Sequence, residues 1–152
     1  LAQQGRCADA EKYLREALAM QRRLRKGPHP DLAEALNNVG WALNSLNRPA
    51  EAEPFYREAL AMNRRLLGEA HPEIASGLNN LAVLLEKKGD LDAAEATHRE
   101  AIAMNRRLFG DRHPQVAQGL NNLAFLEYRR GREASAIALL REALEMRRRE
   151  LG

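Results

Sequence analysis

One decapeptide is written three times at a fixed interval, and that constrains the chain more than any other feature. "HPDLAEALNN" begins at His29, "HPEIASGLNN" at His71 and "HPQVAQGLNN" at His113, so both gaps (71 − 29 and 113 − 71) are 42 residues. The same shift relates Arg15-Glu16-Ala17 to Arg57-Glu58-Ala59, Arg99-Glu100-Ala101 and Arg141-Glu142-Ala143. A chain of 152 residues could close a single core. A period of roughly 20 to 50 residues instead predicts an array whose units bury their faces against one another. The expected units are residues 27–68, 69–110 and 111–152, preceded by the second half of a truncated unit at 1–26, together making one solenoid domain.

Each unit carries two helical patterns. Ile74, Leu78, Leu81 and Leu85 recur at intervals of four, three and four, an apolar stripe on a helix from Pro72 to Lys88. Proline suits a first turn, where its missing N–H has no partner to lose. Gly89 ends the helix and Asp90 is placed to cap the next, which carries Leu91, Ala94, His98, Ala101, Ile102 and Leu108 and stops at Gly110. Two such helices joined by a tight turn form an antiparallel hairpin. Strands are not expected, because aromatics make up 5% of the chain and Val, Ile and Thr are sparse.

The remaining composition excludes function classes. The 24 Lys and Arg against 21 Asp and Glu leave a net charge of +3 and are interleaved, which does not support nucleic-acid binding. No run approaches the roughly 20 apolar residues of a membrane span, so a soluble protein without a membrane partner is expected. The single Cys7 cannot form an internal disulfide, which fits an inert thiol and a cytoplasmic location. The arginine-rich bias points to a bacterial source.

Leu78, Leu81, Ala82, Leu85, Gly89, Ala94, His98 and Ala101, with their equivalents 42 residues away, resemble the tetratricopeptide repeat; the unit "HP…A..LNNLA.L….G….AE…REA" resembles its kinesin light chain type. The resemblance spans the chain and implies an all-α, right-handed superhelical solenoid of antiparallel helix pairs. Two departures stand out: Asn47 replaces the turn glycine, which asparagine tolerates, and Glu127 occupies the slot of Leu43 and Leu85. That acid calls either for looser closure of the last unit or for a covering segment. Gly40, Ala82 and Ala124, and opposite them Ala52, Ala94 and Ala136, let paired helices approach closely. Pro54, about six residues into its helix, either forgoes a hydrogen bond or delays the regular start.

The paired amides exceed what packing requires. Asn79 and Asn80 lie about 100° and 200° around the helix from Leu78, so they cannot both enter the apolar seam. The resemblance implies that the first helix of each hairpin lines a concave surface, with Asn37, Asn38, Asn79, Asn80, Asn121 and Asn122 on or beside it. An asparagine ladder offers donors and acceptors to the main chain of an extended peptide; alternatively, one amide per pair sets the repeat register. Trp41, Val83 and Phe125, four residues beyond the first amide of each pair, are candidate apolar anchors, or else Trp41 fills a gap between units. Glu34, Ser76 and Gln118, then Asn44, Glu86 and Tyr128, then Ser45, Lys87 and Arg129 complete the lining.

Arg22-Arg23, Arg64-Arg65, Arg106-Arg107 and Arg148-Arg149 recur in the last turns of second helices, where cations complement the helix dipole. No catalytic constellation, metal site or cofactor motif is present. His29, His71 and His113 stand a full repeat apart, too far to share a metal, and are expected to pack loops; His98 is expected in the core. The expected function is a non-enzymatic scaffold that binds a protein or peptide ligand in the groove. The competing role is a structural or regulatory module that self-associates or controls a neighbouring effector domain.

Overall fold

A computed structural model describes the backbone of residues 2–150 and the side chains of residues 9–148. The Cys7 thiol and the Arg149 side chain lie outside the described residues. The described chain is helical, with no strand: α1 (Ala2–Leu24), α2 (Pro30–Ser45), α3 (Pro49–Leu67), α4 (Pro72–Lys88), α5 (Leu91–Phe109), α6 (Pro114–Arg129) and α7 (Glu133–Glu150).

Local chemistry sets the helix limits. His29, His71 and His113 each cap a helix, and His113 also packs across its loop as expected, its ring stacked on that of Phe109 with centroids 4.3 Å apart. Each has extended backbone, and its Nδ1 accepts the N–H of Asp31, Glu73 or Gln115 at 3.2, 3.2 and 3.3 Å. The proline that follows opens the helix. Asp90 caps α5 through Oδ1, which accepts from the Ala93 N–H at 3.3 Å. At the tight turns the backbone turns left-handed at Asn47 (φ 59°), Gly89 (φ 83°) and Gly131 (φ 73°), so asparagine does at Asn47 what glycine does at the other two. Pro54 lies inside α3 without interrupting it: the helix starts at Pro49 and continues to Leu67.

The helices form two compact units, Leu1–Glu69 and Ala70–Gly152. In the first, α2 packs on α1 and α3. Leu36, Val39 and Leu43 of α2 and Ala52, Tyr56 and Ala59 of α3 are buried. Gly40 makes the closeness of this pair possible, since a Cβ there would lie 3.2 Å from the Tyr56 ring. The equivalent slots hold Ala82 with the smaller His98, and Ala124 with Leu140. In the second unit α4 pairs with α5 and α6 with α7, and α6 packs on α5. The stripe read from the sequence (Ile74, Leu78, Leu81, Leu85) is buried there, together with Val116, Leu120, Leu123 and Leu126. Gly119 sets the approach of α6 to α5, as a Cβ at this position would fall 2.7 Å from Ile102 Cγ1.

Arginines tie successive helix pairs together. Arg48 donates to Glu11 at 2.6 Å in the first unit; its equivalent Arg132 donates to Glu95 at 3.0 Å in the second. Arg130 adds bonds to Glu95 at 2.9 Å, to the Leu91 carbonyl at 3.1 Å and to Asp92. Arg22 Nη2 donates to both oxygens of Glu58, and Arg106 Nη2, two repeats later, donates to Glu142 Oε1. Arg22 and Arg106, two of the recurring arginines at helix ends, therefore serve as cross-links between second helices as well as dipole partners. Glu127 is buried, and Arg132 covers it: Nη1 donates to its Oε1 at 3.3 Å.

Candidate functional site

The repeated first helices α2, α4 and α6 carry the residues singled out for binding. In the first unit α2 holds Asn37 half-buried and Asn38 exposed, one turn before Trp41. In the second unit α4 holds Asn79 half-buried and Asn80 exposed, and α6 holds Asn121 and Asn122 both half-buried. The helical offset does not separate the two, since at about 100° per residue each lies roughly 130° from the centre of the buried stripe, on opposite sides of it; the neighbouring helix decides which amide is covered. Asn79 Oδ1 is shut away from solvent without a hydrogen-bond partner, whereas Asn122 Oδ1 accepts from Gln118 Nε2 at 3.0 Å. Of the α4 pair, Asn80 is the residue presented to solvent.

Trp41, Val83, Phe125 and Tyr128 are 60%, 42%, 66% and 62% exposed. Bulky apolar groups left this open on the helices that hold the amides are the type of side chain that anchors a partner.

The polar end of the second unit's face is tied together rather than loose. Glu86 Oε1 lies 2.8 Å from Nε2 of the fully buried His98, and Glu86 Oε2 accepts from Arg129 Nη1 at 3.2 Å. Glu86 thus fastens the end of α4 to that of α6 and to the core of α5. Arg129 is consequently held in place and partly neutralised, while Lys87 is exposed. Burial of Tyr56, at the slot equivalent to His98, pushes its phenol above the ordinary value of 10.0.

A groove of about 460 Å³ opens between α6 and α7, lined by Asn121, Phe125, Tyr128, Glu133, Ile137 and Leu140 among others. Ile137 was not among the sequence candidates, and Leu140 was expected to follow the packing pattern. Its partial exposure arises because α7 packs principally on α6, whereas the equivalent positions of α5 lie between α4 and α6. The signal that could have found this face was the substitution of Glu95 and His98 by Ile137 and Leu140 across one period. No group of His, Cys, Asp and Glu among the described residues is arranged to hold a metal ion. No described helix is long and apolar enough to cross a membrane.

The tetratricopeptide repeat model matches residues 1–65 and 73–149 of the chain. The chain is similar to the crystal structure of BtubC (BKLC) from P. vanneervenii, with 29% identity and a TM-score of 0.88 over 97% of this chain and 59% of that one. It therefore spans less than two thirds of BtubC. The nearly identical TPR-like repeats of a Podosopora anserina protein classed as a kinesin light chain share the fold at 19% identity and a TM-score of 0.85, over 97% of this chain and 70% of that one. MamA does so at 18% identity and a TM-score of 0.61, over 78% and 60% of the two chains. No curated protein sequence matches the chain.

Proposed function

The chain belongs to the tetratricopeptide repeat family, whose members are generally protein-interaction scaffolds without catalytic activity, and from that premise we propose that it binds an extended segment of a partner protein along its first helices. The observation that carries the reading is the exposure of Trp41, Val83 and Phe125, one bulky apolar side chain per repeat, each beside an amide pair. Asn38 and Asn80 offer a donor and an acceptor to a peptide main chain, and the apolar groups offer anchoring area. Each anchor contributes about 1.5 to 3 kcal/mol if fully covered. Two or three of them, after ordering costs, reach the roughly 8 kcal/mol of a micromolar complex. In the second unit Lys87 and Arg129 stand with the Glu86 carboxylate that holds Arg129, so that surface carries both signs of charge.

The test is a peptide-array screen with the whole chain, followed by titration of the best binder. Phe125→Ala and Asn80→Ala should each weaken it about tenfold, because both residues are exposed and their loss leaves the core untouched. Unchanged affinity in both variants, with helicity intact, would overturn the reading.

A further inference from the structure

Histidine costs stability in the slot that His98 fills. The ring is fully buried, and its Nδ1 is shut away from solvent without a hydrogen-bond partner. An unpaired polar atom in that setting is destabilising, and leucine, close to histidine in volume, would carry none. The equivalent positions of the neighbouring repeats hold Tyr56 and Leu140. Packing alone therefore gives no reason for an imidazole at this place.

The bond that the ring does make leads to the surface. Nε2 lies 2.8 Å from Glu86 Oε1, and since a carboxylate only accepts, the ring nitrogen donates. The other oxygen, Oε2, accepts from Arg129 Nη1 at 3.2 Å. Glu86 is nearly enclosed, with its side chain 13% exposed, whereas that of Arg129 is 47% exposed. Across the periods Asn44 accompanies Tyr56 and Tyr128 accompanies Leu140, so the acid and the histidine come together in a single repeat. Arg129 lies one turn beyond Phe125 on α6.

Such a link changes what the arginine can do. An arginine paired to a solvated carboxylate keeps most of its rotamer freedom and gives it up on binding. Glu86 is instead fastened at its other oxygen by a side chain of the core. The guanidinium is thus tethered at Nη1, and its Nε and Nη2 edge is left to meet an oxygen acceptor.

We propose that His98 is a positioning residue of the binding face: touching no partner itself, it holds Glu86, and Glu86 holds Arg129 oriented beside Phe125 for an oxygen acceptor of the bound segment. The partner in this inference rests on the peptide-binding reading; the positioning rests on the three linked side chains and is measurable without a partner. Its signature is that stability and binding part company. His98→Leu removes the unpaired nitrogen and should leave Tm equal or higher, yet weaken the complex, because Arg129 must then be ordered at the moment of binding.

The experiment is NMR relaxation of the Arg129 Nε–H group in the whole chain, followed by peptide titration. With no peptide, the guanidinium should be rigid in the wild type and mobile in both His98→Leu and Glu86→Ala. His98→Gln, whose side-chain amide can still donate to Glu86, should restore rigidity. The best peptide-array binder is then titrated. Arg129→Ala should weaken it about tenfold, His98→Leu and Glu86→Ala each about threefold, and the double variant no more than either alone, since both break one link. A lower Tm for His98→Leu with Arg129 mobility unchanged, the mark of packing alone, overturns the proposal. So does a complex indifferent to Arg129→Ala, or one that Arg129→Ala weakens and His98→Leu does not. Should Phe125→Ala and Asn80→Ala leave affinity unchanged, the peptide reading falls, and the Arg129 relaxation by itself decides the role of His98.

Discussion

Replacing Glu127 by leucine should stabilise the protein. The carboxyl is buried in a slot that holds leucine at both earlier repeats, Leu43 and Leu85, and its side-chain partner is the Arg132 guanidinium at 3.3 Å. Leucine would gain about 2 kcal/mol from burial of its side chain and remove the cost of desolvating a carboxylate. Against this stands the lost bond to Arg132. That side chain is 48% exposed and keeps its bond to Glu95, so solvent screens the loss and leaves it smaller than the burial gain. The expected net gain of about 1 to 2 kcal/mol raises Tm by roughly 3 to 6 °C for a chain of this length. Arg132→Ala provides the control. It leaves Glu127 buried without its cation, which should lower Tm, and by clearly less when Glu127 is already leucine. Urea and thermal unfolding of the four proteins completes the cycle, with a favourable coupling expected between the two positions. A lower Tm for Glu127→Leu, or an Arg132→Ala cost that is the same in both backgrounds, would refute the reasoning.

Gly119→Ala should lower Tm despite alanine's better helix propensity. The new methyl would sit 2.7 Å from Ile102 Cγ1 on a packed neighbour, an overpacking cost of about 1 to 3 kcal/mol readable by thermal unfolding. Acid should loosen the second unit: burial pushes the Glu95 carboxyl up, but hydrogen bonds from Arg99 and Arg132 prevail and hold it below the ordinary 4.5. A carboxyl whose folded pKa is depressed contributes stability that is present above 4.5 and disappears as pH falls through the folded value. The Tm gap between wild type and Glu95→Gln should therefore close as pH drops below 4.5, and a gap constant with pH would contradict the assignment.

Where a residue's role depends on its own helix and the adjoining turn, the sequence was sufficient. The helix Pro72–Lys88, its stop at Gly89, the cap at Asp90 and the left-handed Asn47 all rest on contacts a few residues apart, which is why they could be read in advance. Periodicity likewise identified the buried stripe of Ile74, Leu78, Leu81 and Leu85. Even within local range one role was missed: the histidine of each His-Pro pair acts through Nδ1 as a helix cap, a less familiar acceptor than serine or aspartate.

For the candidate site, the amides and Trp41, Val83 and Phe125 were visible as a repeated pattern on the first helices. How each is exposed was not, because Asn79 and Asn80 differ by one helical step and only the neighbouring helix decides which is covered. The sequence by itself determined a 42-residue array of helix pairs, since period, caps and apolar spacing are short-range and repeat in phase. Tertiary structure alone decided that Glu86 joins His98 to Arg129, that Arg132 serves both Glu95 and buried Glu127, and that Ile137 and Leu140 are left open. These residues lie up to 43 positions apart, as Glu86 and Arg129 do, and identical spacing along the chain acquires different surroundings according to which helix packs beside it.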